Sequence, residues 1–245
     1  MKLLSIIKSI VFALIMASFL EFLLYYPDYL IWILVGMIAL AALFSMLSLW
    51  KNFWESKTAS MMPAIFAVSS FGFVFFLKEG AFRHIFIGGV FAAFFVMFWF
   101  FTKEKKSREI NIFFTVVTAF LFFYTLGNFS DFFNIVLWQV LIALYIVVSA
   151  LMFQLLSSKF RGQIRKLLYV LVLGLCVIEM YWALTFWPST LLVKTIVLLV
   201  VFYSMAGVTY DRFAEKLDRG RILSYIILSG IVIAVVLGTA QWISK

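Results

Sequence analysis

Apolar runs of about twenty residues follow one another along nearly the whole chain, at 9–26, 29–50, 61–77, 84–101, 111–127, 132–156, 167–187, 191–210 and 222–242. A hydrocarbon core about 30 Å thick needs roughly 20 apolar residues per helix, so each run is a candidate span. Backbone groups in lipid must be satisfied internally. The runs are too long and too uniform for barrel strands, which alternate apolar and polar residues, and helices are the remaining solution. The expected fold is therefore all-α, a polytopic transmembrane helix bundle of about nine helices. Hydrophobic residues make up 66% of the 245 and charged residues 13%, so no stretch is left for a separate soluble domain. Residues 1–245 read as a single integral membrane domain.

The distribution of Lys and Arg gives a direction. On alternate sides of nine helices, sixteen of the twenty fall together: Lys2, Lys8, Lys51, Lys57, Lys103, Lys105, Lys106, Arg108, Lys159, Arg161, Arg165, Lys166, Arg212, Lys216, Arg219 and Arg221. Lys78, Arg83, Lys194 and Lys245 fall on the other side. Cytoplasmic loops carry the basic excess, so the amino terminus is expected inside and the carboxyl terminus outside. Aromatic belts agree. Tyr25, Tyr26, Tyr29, Trp32, Tyr124, Trp138, Trp187 and Trp242 fall near outer ends, and Trp50, Trp54, Trp99, Tyr169, Tyr210 and Tyr225 near inner ones. The net charge of +9 is thus assigned to topology and to anionic lipid at the cytoplasmic face, not to nucleic acid. The first run has a charged start, but it is long, is followed by bulky residues and lacks an A-x-A site, so it reads as an uncleaved first helix.

Several chemistries lack their residues. Cys176 is the only cysteine and His84 the only histidine, which removes internal disulfides, Cys-x-x-Cys redox chemistry, paired haem ligands and HExxH zinc sites. No P-loop or dinucleotide glycine loop is present, and no cofactor or metal is expected. Tyr210 and Asp211 resemble the Tyr-Asp pair of intramembrane aspartyl proteases, but the Gly-x-Gly-Asp partner is missing, and Ser229-Gly230 lacks the rhomboid frame.

The stretch "CVIEMYWALTFWPSTLLVK" holds what remains. Glu179 stands eight residues before Trp187, about 12 Å below the expected outer surface at 1.5 Å per residue. An ionisable group at that depth is expensive and is by default a site. The alternative is a hydrogen bond that ties helices together, worth about 1 kcal/mol. Lys194, beyond the turn Pro188-Ser189-Thr190, is the nearest candidate partner; Glu21 is a second carboxylate in the same leaflet half; Trp182, three residues on, is the one deep tryptophan. Glu179, Lys194, Glu21 and Trp182 form the candidate functional polar cluster. His84 with Arg83 and Lys78 reads as an interfacial anchor or a cationic rim. The stretch "TYDRFAEKLDRGR", residues 209–221, reads as a short surface helix. Gly230, Ala234 and Gly238, with Gly88 and Ala92 or Gly89 and Ala93, mark packing faces within the bundle or between protomers. "EFLLYYPDYLIW" and "EMYWALTFWPSTLL" share a Glu, aromatics and a Pro at the turn, as a parallel duplication would leave, although their Glu-to-Pro spacings differ.

Glu179, Trp182, Ala183, Leu184, Phe186, Pro188 and Trp242 resemble the carboxyl-terminal part of uncharacterised multipass membrane proteins from candidate bacterial phyla, grouped as a domain of unknown function. The resemblance covers roughly residues 174–243. It implies a bacterial inner membrane and no activity.

The leading expectation is a non-enzymatic integral membrane protein, an assembly component or scaffold, whose outer polar groups hold the first, seventh and eighth helices together. One alternative is a transporter or lipid-handling protein that uses Glu179 as a protonatable gate with Lys194 and Glu21. The other is a membrane transferase on a lipid-linked substrate with Glu179 as base. Membrane lipids are expected partners, together with a second copy or another membrane protein.

Overall fold

A computed structural model describes residues 2–49, 61–78, 80–101, 108–157 and 164–239. Most of the basic loops and Trp50, Trp54 and Trp242 lie outside them. The described residues form nine α-helices: α1 Lys2–Tyr25, α2 Leu30–Leu49, α3 Met61–Phe76, α4 Ala81–Phe101, α5 Arg108–Phe133, α6 Leu137–Ser157, α7 Ile164–Thr185, α8 Leu191–Phe213 and α9 Arg219–Thr239. A 3₁₀ turn at Pro27–Tyr29 joins α1 to α2, with Pro27 pre-set for a turn. Seven helices, all but α2 and α3, are long and apolar enough to cross a membrane. Shorter apolar stretches occupy the other two, Ile31–Ala41 and Met62–Phe76.

Helix ends differ from the apolar runs where local chemistry lets the backbone continue. Helix α5 runs through Gly127, Asn128 and Ser130 and stops where Asn134 turns left-handed at φ 49°. The Ile135 N–H then donates to the Ser130 carbonyl at 3.1 Å, the six-residue closure that satisfies an otherwise orphaned helix-end carbonyl. Residues 209–221 are not a separate surface helix. Helix α8 takes in Thr209–Phe213, Glu215 turns left-handed at φ 55°, and the Lys216 N–H donates to the Asp211 carbonyl at 3.0 Å. Asp218 then caps α9, its Oδ1 accepting the Arg221 N–H at 2.7 Å. Arg83 likewise serves a helix end rather than a rim, donating from Nη2 to the Leu77 carbonyl just beyond α3 at 2.7 Å.

The chain divides into two compact units, Met1–Thr125 and Leu126–Lys245, with the boundary inside α5. In the first, α1 packs chiefly on α4 and α2 on α3. Its core is aromatic: Phe94 meets Phe12 and Phe66 edge to face at 6.2 and 4.9 Å, stacks on Phe98 at 5.9 Å, and has no exposed surface. Thr125 also donates from its hydroxyl to the Ser69 carbonyl on α3 at 3.1 Å. In the second unit α6 packs on α7, α7 on α8, and α8 on α9. The α6–α7 contact is close because Gly174 has no side chain: a Cβ there would lie 2.7 Å from the Ser149 hydroxyl and 2.9 Å from the Tyr145 ring. The glycines of the four-residue spacings, Gly88, Gly89, Gly230 and Gly238, face open space and do not serve as packing faces within their units.

Candidate functional site

Helix α7 buries one side and exposes the other. Lys166, Val170, Gly174, Val177 and Leu184 point inward, each four or three residues on from the last except for the longer final step. Leu168, Val172, Leu175, Glu179 and Trp182 form the opposite stripe, all exposed and spaced four, three, four, three, with exposed Phe186 just past the helix end. Both sides are apolar, so only the packing decides which faces outward. Glu179 sits six residues before the end of the 20-residue span Lys166–Thr185 and has no hydrogen bond or ion pair with any described residue. The expected pairing with Lys194 is absent, because Glu179 points away from the α7–α8 contact while Lys194 is half-buried on α8. Glu179 therefore does not tie these helices together. Trp182 is 51% exposed and packs edge to face on Phe186 at 5.5 Å.

Glu21 has a different partner. His84 donates from Nδ1 to Glu21 Oε1 at 3.1 Å, joining α1 to α4, with both side chains partly exposed. The pair stands on an open groove of about 550 Å³ whose walls are otherwise mostly apolar, including Leu14, Phe22, Tyr25, Ile87 and Phe91. Gly88 also lines it, and the missing side chain leaves that wall open. The groove thus has a polar mouth and an apolar body.

Sequence reasoning passed over a third place, the contact of α8 and α9. Asp211 is 2% exposed; the Tyr225 hydroxyl donates to its Oδ2 at 3.2 Å and Arg221 Nη1 lies 3.4 Å from the same oxygen. A buried carboxylate requires such partners. Tyr225 reaches it because Gly207 lets the ring lie against α8: a Cβ at Gly207 would fall 2.5 Å from Tyr225 Cε1. One turn further along, the Ser204 and Ser229 hydroxyls bond across the same seam. Tyr210 beside it is only 3% exposed, and Tyr225 is half-buried in this contact. Lys166, read as loop, is buried within α7. A signal was available: Asp211 precedes Arg221 and Tyr225 by ten and fourteen residues, spacings that a tight helical hairpin brings together.

Seven apolar helices long enough to cross a bilayer, with tightly packed pairs and polar groups held between them, define a multi-pass helical membrane protein. Residues 30–239 match the model of a family described as "Protein of unknown function (DUF5656)", and the chain belongs to that family. The match begins at α2, far upstream of the carboxyl-terminal stretch on which the resemblance rested. No curated protein and no solved structure matches the chain.

Proposed function

We propose that this protein is a non-enzymatic assembly component or scaffold of a cytoplasmic membrane, with its amino terminus inside and its working surface the outward stripe of α7. The carrying observation is Glu179, an ionisable side chain far inside a span, exposed and with no partner among the described residues. Left in hydrocarbon such a group is unfavourable by about 2.5–3.5 kcal/mol for an acid at a span's centre, so it marks a surface that another transmembrane element covers. The sixteen-to-four distribution of basic residues supports the orientation. A photo-crosslinking residue at Trp182, activated in native membranes, is expected to give a protein adduct that Glu179→Ala reduces at least about fivefold, the weight of one interhelical hydrogen bond. Adducts with lipid alone would remove the reading.

The lipid-handling alternative has its support at the α1–α4 groove rather than at Glu179. Its apolar body suits an acyl chain, and the Glu21–His84 pair at its mouth offers a carboxylate and an imidazole to a polar headgroup. Gly88→Leu fills the groove while raising helix propensity, so the fold is expected to persist. Under this reading, mass spectrometry of the purified variant shows at least a tenfold loss of a lipid that the wild type retains. An unchanged lipid complement would eliminate it.

A further inference from the structure

We infer that two copies of this chain meet through α7, with the stripe of Leu168, Val172, Leu175, Glu179, Trp182 and Phe186 packed on itself about a two-fold axis along the membrane normal. This rests on the reading of that stripe as the working surface and names its partner.

The spacing is the first argument. Alternating steps of four and three residues average 3.5, the repeat that keeps one seam of a helix facing a parallel partner as the two supercoil. Leu168, Val172, Leu175, Glu179 and Trp182 keep it along α7, with exposed Leu167 and Ala183 flanking the seam. Glu179 is the single polar group on the seam, and its chemistry points the same way. A neutral carboxyl has one O–H donor and a carbonyl acceptor, so its complement is another carboxyl. Away from water that complement has to sit at the same depth and in the same register. A different protein would need a matching group placed there independently. A two-fold axis supplies it by construction, because each residue at the axis meets its own equivalent. Glu179 then donates to, and accepts from, Glu179 of the partner subunit. Trp182 and Phe186, already packed on one another, add rigid aromatic surface beyond the pair, and Leu168, Val172 and Leu175 fill the seam before it.

The only cysteine makes the test direct. Cys176→Ser gives a thiol-free chain, into which single cysteines are placed at Val172 and Leu175 on the stripe and at Ile227, equally exposed on α9. Copper-phenanthroline oxidation in native membranes is expected to give a disulfide-linked dimer for Val172→Cys and Leu175→Cys at least tenfold above Ile227→Cys, since parallel helices in contact bring equivalent Cα atoms near the roughly 4.4–6.8 Å a disulfide requires. Adding Glu179→Ala is expected to lower that yield about fivefold or more. Glu179→Gln, whose amide is also both donor and acceptor, is expected to retain it. Glu179 bonds none of the described residues, so neither change should unfold the protein, and thermal unfolding of each variant in detergent checks this. Dimer yields at the stripe no higher than at Ile227 overturn the two-fold contact, and yields indifferent to Glu179→Ala overturn the carboxyl pair. Photo-crosslinking at Trp182 separates the two levels: an adduct with a different protein ends the second-copy inference and leaves the scaffold reading standing, while lipid adducts alone end both.

Discussion

Phe94→Ala is expected to lower the stability of the amino-terminal unit by about 2–3 kcal/mol, read as a fall in the detergent thermal-unfolding midpoint. In a soluble protein the loss would be larger, because the removed ring would also forfeit its transfer from water. In a bilayer the alternative to the core is lipid, as apolar as the core itself, so that contribution drops out. What remains is the void. Removing a phenyl ring leaves roughly 100 Å³, and at about 24 cal/mol per Å³ this gives the stated figure. Phe94 is well suited to the test because Phe12, Phe66 and Phe98 surround it and it has no exposed surface through which the site could refill. Phe113, exposed on α5, is the control, and Phe113→Ala is expected to leave the midpoint unchanged.

Gly207→Ala is expected to be as damaging, on the order of 3 kcal/mol, though it adds one methyl group. That methyl would lie 2.5–2.8 Å from three atoms of Tyr225, closer than side chains pack. Displacing the ring costs about 1–3 kcal/mol of overpacking. It also takes the hydroxyl from Asp211, and a buried carboxylate that loses a hydrogen bond adds about 1–3 kcal/mol. The two contributions can be separated. With Tyr225→Phe already present there is no hydrogen bond left to lose, so Gly207→Ala should add only the steric part. A double-mutant cycle on unfolding midpoints reads the difference as a non-zero coupling. Strict additivity would mean that Gly207 and the Asp211–Tyr225 bond act independently.

The number and order of the helices were legible because lipid leaves the backbone one solution and the apolar runs are separated by charges and turns. Their ends were less so. Gly127 and Asn128 look like a break, yet α5 continues through them; at Gly127 a Cβ would lie 2.3 Å from a Leu191 methyl, so the glycine marks a close approach rather than a stop. Helix α8 likewise extends to Phe213 because Asp211 finds its partners fourteen and ten residues later, a fact of pairing and not of composition. The sides of the helices could not be read at all. In a water-soluble helix an apolar stripe announces the buried face, but here both faces of α7 are apolar. Glu179 was recognisable as a costly residue; that it turns away from Lys194 was decided by Gly174 and Val177 packing inward. Glu21 was flagged, but its bond to His84 joins residues 63 apart in sequence, and no local pattern encodes that.

The hydroxyls carry a consequence for biogenesis. Ser18, Ser69, Thr115, Thr118, Ser224 and Thr239 each donate to the carbonyl four residues earlier in their own helix, and of the bonded pair Ser204 and Ser229 one hydroxyl does the same while the other donates to it. A span whose polar side chains are satisfied locally can leave the translocon and enter the bilayer alone, before any neighbour arrives. Asp211 draws on the next helix as well: Tyr225 and Arg221, which reach its Oδ2, belong to α9. Helices α8 and α9 are therefore expected to enter the membrane together, as one hairpin whose second limb brings the donors for Asp211 Oδ2.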